Sequence, residues 1–317
     1  MELTYRKFPK IYRIEQEEAE AKARGIDNSL LEMIARGKPF SVTEKLDGAN
    51  SCIEVIKEDE EIRFAFYSHN KKLDEHNTLR GFYEYANSVL VPKLTEFYEC
   101  TDEIVHDYLY GEWLVPHRVE YQADKYNKWY LFSIYDEALG IELAPDVRQL
   151  SARCMGVLTP DFFCKEHCGE FDYDKLKELV GKSTNTLIPD QGEGIVVECG
   201  GVKAKIVSDK FKEVRRSKKP RPSQTESEKF IDETVTEARI TKMIEKFKDE
   251  ELLPNTIDYK HFGEIARPLT QAIWEDVLEE ESMNMPKLFD EKKGRKRLNK
   301  IVPKYVRELI DNEMNMA

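Results

Sequence analysis

Residues 43–50 read TEKLDGAN, directly after the extended run PFSV (39–42) and directly before the apolar alternation SCIEVI (51–56). A strand that ends in Asp47-Gly48 needs no lysine to turn, because the aspartate and glycine already supply the turn chemistry. Lys45, at what reads as the edge of a strand, is therefore the residue to explain. Outward from it the chain keeps a strand period. SCIEVI and IRFAFYS (62–68) flank the acidic turn KEDEE, which predicts a hairpin with Ile62, Phe64 and Phe66 on one face. IVHDYLYGEWLV (104–115) and KWYLFSIYD (128–136) follow, then EGIVVECGGVKAKIV (193–207), a second hairpin with CGG as its turn. Helical stretches are expected over 15–36, near 79–99 and over 174–181, giving a mixed α+β pattern.

After RRSKKPRPSQTESEK (215–229), whose composition reads as an exposed connection, the period changes to helical. Ile240, Met243, Ile244 and Phe247 recur at helix spacing, as do Ile273, Trp274, Val277 and Leu278, and Val302, Tyr305, Val306, Leu309 and Ile310. The expected organisation is an α+β domain over 1–222, built on antiparallel sheets with flanking helices, followed by a small all-helical domain over 223–317.

The chain has 317 residues, 35% of them charged, and a mean hydropathy of -0.62. No apolar run approaches the roughly 20 residues of a membrane span, and the first residues lack the apolar centre of a signal peptide. The expectation is a cytoplasmic, monomeric protein with no membrane association. Six scattered cysteines fit reduced thiols. CKEHC places Cys164, His167 and Cys168 close together, but a zinc site lacks a second ligand pair, so these read as loop residues. A net charge of -12 argues against a protein that coats nucleic acid over its whole surface. Between Lys203 and Pro222, however, nine Lys or Arg stand against two acids, a local excess of +7. The RRSKKPRP run within it reads as RNA phosphate contacts, a nuclear localisation signal or a solvated linker.

Several motifs follow Lys45 in order: YGEW with Glu112, YLFSIYD with Phe132, GEGIVVE with Glu193, and VKAKIV with Lys203 and Lys205. In a strand, residues two apart share a face, so Lys203 and Lys205 point one way while Val202, Ala204 and Ile206 point the other. Two cations on one face suit a polyphosphate.

This ordered set resembles the covalent nucleotidyltransferases, comprising ATP-dependent DNA and RNA ligases and mRNA capping enzymes. Their first motif, Lys-x-Asp-Gly, stands here as Lys45-Leu46-Asp47-Gly48. With Glu44 before the lysine, Asn50 five residues after it and helices after the last motif, the chain is most similar to the RNA ligase 2-like family of ATP-dependent RNA ligases. The resemblance implies a nucleotidyltransferase (ATP-grasp-like) domain and a three-step reaction. Lys45 attacks the α-phosphorus of ATP, AMP passes to an RNA 5′-phosphate, and a 3′-hydroxyl displaces AMP to seal the strand, the expected substrate being nicks in duplex RNA. It implies Mg²⁺ or Mn²⁺, with Glu193 engaging the metal or the lysine. Glu44 is expected to contact the adenine, Phe132 to stack on it, and Glu112 to hold the ribose; Leu46, His69 and Asn70 are expected to line the nucleotide site. Asn50 is expected to serve the RNA-dependent steps, and Lys210, Lys212, Arg215, Arg216 and Lys218 to contact RNA phosphates. A lysine with an ordinary pKa of about 10.4 is protonated at neutral pH. Lys203, Lys205 and the metal, facing Lys45 across the site, are expected to lower that value.

Two positions depart from the family pattern. SHNKKL puts His69 where relatives carry a basic residue, and Glu198 stands where a lysine is usual. Two other readings compete: a DNA ligase or capping-type enzyme, which the absence of a strand-rich tail counts against, and a non-catalytic RNA-binding protein on a ligase-like scaffold, which gives no reason for Lys45, Glu112, Glu193, Lys203 and Lys205 to occur together.

Overall fold

The β-period segments form two five-stranded sheets. The computed structural model describes residues 5–26, 28–165, 173–212, 224–254 and 257–316. The elements in chain order are β1 (Tyr12–Arg13), α1 (Ile14–Ala23), α2 (Leu30–Ala35), β2 (Phe40–Lys45), β3 (Ala49–Glu58), β4 (Glu61–Ser68), α3 (Phe82–Tyr85), α4 (Val91–Glu99), β5 (Val105–Trp113), β6 (Trp129–Asp136), β7 (Ile141–Glu142), α5 (Pro145–Cys154), β8 (Phe162–Lys165), α6 (Tyr173–Glu178), β9 (Gly194–Cys199), β10 (Val202–Val207), α7 (Glu226–Thr234), α8 (Glu237–Asp249), α9 (Phe262–Glu280) and α10 (Glu291–Met316). Between α3 and α4 the chain makes one π-helical turn, Ala86–Leu90.

One sheet has the order β1-β10-β9-β2-β8 and the other β4-β3-β5-β6-β7. All pairings are antiparallel except the short β1, which runs parallel to β10. Consecutive strands β2 and β3 lie in different sheets, so Leu46–Gly48 is the point where the chain crosses from one sheet to the other. It is not a hairpin turn. The β3–β4 hairpin forms as expected, with Phe66 buried and Ile62 and Phe64 packed against the core. Gly200 and Gly201 close the β9–β10 hairpin at φ +58° and +82°, the paired left-handed backbone that a two-residue turn of this hand requires.

The expected single helix over 15–36 is two helices. Gly25 adopts φ +65° after α1, and Ser29 accepts a hydrogen bond from Glu32 N to cap α2. The helices expected near 79–99 and 174–181 are present as α3–α4 and α6. No helix among the described residues is long and apolar enough to cross a membrane.

The chain separates into two compact units, Met1–Ser208 and Asp209–Ala317. The expected boundary at 222 falls outside the described residues. In the first unit one core lies between β3, β5 and β6 and the α3–α4 region, and includes Ile53, Leu109, Phe82, Trp113 and Trp129. A second core joins α1 and α2 to β2, β9 and β10 through Ile14, Leu30, Val42, Val197 and Ala204. The second unit buries the three apolar stripes read from the sequence in one core around Trp274. Beside that core Arg239 is fully buried, with its guanidinium on Asp276, Glu280 at 3.4 Å and Glu281 at 2.8 Å. Removing the cation takes the guanidinium from three nearly buried carboxylates, of which Glu280 keeps Lys242 at 3.7 Å. Arg239→Ala is therefore expected to cost about 3–5 kcal/mol, seen as a drop in melting temperature and loss of helical signal on denaturant titration of the full chain.

Candidate active site

Lys45 is the last residue of β2 and pairs across the sheet with Gly194 of β9. Its Nζ lies 2.5 Å from Glu193 Oε2, one residue before that partner. The Lys45 side chain keeps 26% of its exposure while Glu193 keeps 8%, so the amine remains reachable at the end of a buried acid. The next residues are fixed by the loop that follows β5. Asp47 Oδ2 accepts hydrogen bonds from the backbone N–H groups of Arg118 and Val119, both at 2.9 Å, and Asp47 N donates to Tyr121 Oη at 2.8 Å. Gly48 N donates to Glu112 Oε1 at 2.8 Å. A Cβ at position 48 would sit 2.5 Å from the Trp113 carbonyl oxygen, so the close passage of the two chains requires glycine. Arg118 Nη2 completes the ring of charge, 3.9 Å from Asp47 Oδ1 and 3.7 Å from Glu193 Oε1.

This environment sets the titration of the site. For Lys45, burial pushes the amine down, but Glu193, Glu112 and Asp47 outweigh it and the net displacement is upward. Burial pushes Asp47 up, yet a bond from His117 and the charge of Arg118 bring it to about 2. Burial raises Glu112 to about 7, against the pull of Lys45 and Gly48 N–H. Lys203 and Lys205 thus do not bring the Lys45 pKa down as expected, because carboxylates dominate its surroundings.

The register places Lys45 on one sheet face with Thr43 and Ser41 of β2; Thr43 pairs with Val196 and Val196 with Lys205, Ser41 with Glu198 and Glu198 with Lys203. The three lysines therefore share a face, as the strand period predicts, while Ala204 and Ile206 enter the core behind it. Lys203 does not meet Lys45 directly. Its amine is bonded to Glu142 of β7, in the other sheet, and lies 3.8 Å from Glu198 Oε2. Burial lowers the Lys203 pKa despite both acids. Glu198 also receives Arg148 of α5 at 3.1 Å, so the acid that departs from the family pattern is balanced by an arginine from outside the strand.

Residues 38–214 match the family model described as RNA ligase. The chain belongs to the RNA ligase family. No curated protein matches it. Among solved structures it is similar to Naegleria gruberi RNA ligase with PPi, at 20% identity and a TM-score of 0.46, over 65% of this chain and 57% of that one. A lysine-to-alanine mutant of the Naegleria ligase with ATP and Mn gives 18%, 0.45, 64% and 56%. The chain thus spans little more than half the length of these structures.

In this RNA ligase family member, Asn50 pairs with Glu112 across β3 and β5, facing the same side. Phe132 is the extra residue where the β5–β6 register shifts, and it packs among Cys52, Tyr67 and Tyr110 on that same side. Glu44 is buried on the opposite face of β2 from Lys45 and accepts a hydrogen bond from Asn185 Nδ2 at 2.7 Å. Burial raises its pKa against the bonds from Ser183 and Asn185. Leu46 is buried. His69 and Asn70 follow β4, where Tyr5 Oη donates to the His69 carbonyl and Lys7 Nζ lies 3.4 Å from Asn70 Oδ1. Lys210 and Lys212 are exposed, the latter 2.6 Å from Asp209, in the second unit; Arg215, Arg216 and Lys218 lie outside the described residues, as do His167, Cys168 and the Cys164 side chain. Among the described residues no three His, Cys, Asp or Glu side chains form a direct metal cage. The sequence reading missed His117, Arg118 and Tyr121, whose segment VPHRVEY carries no period.

Because Glu112 holds its proton up to about pH 7 in the folded chain but only to about its ordinary 4.5 when unfolded, the folded state binds the extra proton between these values. Stability contributed by this group is present below that window and declines as pH rises through it. Glu112→Gln is expected to flatten the fall in melting temperature between pH 5 and pH 7.5. An identical slope in both proteins would show that Glu112 does not carry it.

Proposed function

We propose that this chain is an ATP-dependent RNA ligase that joins RNA 3′-hydroxyl and 5′-phosphate ends, at nicks in duplex RNA, through an AMP bonded to Lys45. The observation that carries this reading is the placement of Lys45. A reachable amine ends a strand 2.5 Å from Glu193, and Lys203 and Lys205 stand on the same sheet face. A lysine held this way has an acceptor for the proton it must lose before its lone pair can attack phosphorus.

In the first step the Lys45 nitrogen bonds to the α-phosphorus of ATP and pyrophosphate leaves. Glu193 is positioned to accept the Lys45 proton, and Lys203 and Lys205 to take the phosphate charge that develops. Phe132 and Asn50 stand on the facing sheet for the base and for the later RNA steps. Glu193 would hold Mg²⁺ or Mn²⁺ together with water and phosphate oxygens, because these cations retain water and prefer carboxylates and phosphate. Bound there, such an ion supplies positive charge to phosphate oxygens. AMP then passes to the RNA 5′-phosphate, and the 3′-hydroxyl displaces it. Lys210 and Lys212, with Arg215, Arg216 and Lys218, supply a basic run for RNA phosphates.

The test is incubation of the protein with Mg²⁺ and ATP or GTP labelled in the α-phosphate, followed by denaturation. Stable label from ATP, absent in Lys45→Ala, is expected; no label with either nucleotide would sink the proposal. Sealing of nicked duplexes with RNA or DNA on the 3′-hydroxyl side then separates an RNA ligase from a DNA ligase.

A further inference from the structure

The segment Tyr5–Phe8 crosses the face of the second sheet that carries Asn50, Glu112 and Phe132. Tyr5 stacks on Tyr67 at 4.8 Å and donates to the carbonyls of Ser68, at 3.0 Å, and His69. The Arg6 carbonyl accepts from Tyr110 Oη at 2.9 Å, and its guanidinium lies 3.6 Å from the centre of the Tyr135 ring. Phe8 meets Phe132 edge-on at 5.1 Å and Tyr110 at 4.9 Å, and the Lys203 amine lies 5.5 Å from the Phe8 ring centre. The chain then passes to β1, which pairs with β10 at Ala204 and Lys205. The segment therefore reaches from one sheet to the other across the site.

These contacts fall on His69, Asn70, Phe132 and Lys203, four of the residues assigned to the nucleotide. Phe8 meets the Phe132 ring edge-on, so a purine stacked on that side of Phe132 requires the Phe8 ring to move. Building on the proposed use of ATP at this site, we propose that Tyr5–Phe8 is an autoinhibitory strap: Phe8 stands in for the base on Phe132, and adenine nucleotide binds by displacing it. The aromatic contacts released are replaced by base stacking on Phe132, and Lys203 exchanges the Phe8 ring and its acids for phosphate. The strap thus lowers apparent nucleotide affinity by the fraction of time it is closed, without altering the reacting groups.

Two measurements test this on the full chain. Phe8→Ala is expected to lower the ATP concentration for half-maximal Lys45 labelling by about five- to tenfold, corresponding to a strap closed roughly 80–90% of the time, with the labelling rate at saturating ATP unchanged. Limited trypsin digestion after Arg6 and Lys7 is expected to accelerate when an ATP analogue with an uncleavable α,β bridge is added. A higher ATP requirement in Phe8→Ala would make Phe8 a wall of the bound site and overturn the strap. Trypsin cleavage that is unchanged or slowed by the analogue would overturn it as well. The digestion reads nucleotide binding alone, so failure of Lys45 to take label with a positive digestion would reject the ligase chemistry and leave the strap standing.

Discussion

Two backbone N–H groups, from Arg118 and Val119, hold the Asp47 carboxylate, and the geometry of the site depends on that grip. β2 and β3 belong to different sheets, so the residues joining them must leave one hydrogen-bonded ladder and enter another within three positions. A crossing that short has no ladder of its own. Asp47 supplies a substitute, binding the loop after β5 through its carboxylate and Tyr121 through its N–H. Gly48 then passes the Trp113 carbonyl at a distance no side chain permits. The direction of Lys45 follows from this anchoring more than from any contact of its own, since a long flexible side chain is aimed mainly by where its backbone is fixed.

The charges are arranged so that the amine rests in its protonated form. Carboxylates surround Lys45, and its pKa moves upward although burial alone would push it down. Of the other lysines on the sheet face, Lys203 is held by acids from both sheets. The acids that hold Lys45 thus favour its charged form over the neutral amine.

Much of the fold was legible in the sequence because it follows simple periods. The two-residue repeat of VKAKIV set the lysines on one face, and the helical stripes around Ile240, Trp274 and Val306 marked the second unit's core. Gly25 and Ser29 carried ordinary stop and start signals that a single helix over 15–36 overlooked. The identity of Lys45's neighbours was not legible. Strand period gives the face of a residue but not the residues that approach it from another sheet, and Arg118 and Tyr121 arrive from a loop without pattern. The aromatic residues before β1 were likewise silent, because their partners are scattered over β4, β5 and β6.

Glu198 shows how a departure from a family's pattern is accommodated. Across the sheet it faces Lys203, and from α5 it receives Arg148, while Glu142 touches both cations. Two cations and two anions form a closed group with no net charge. A lysine at 198 would leave three cations around one carboxylate at a site with little solvent, an arrangement that Arg148 does not suit. Positions 148 and 198, fifty residues apart and on different elements, are thus electrostatically tied, because each carries the counter-charge that the other meets in this group.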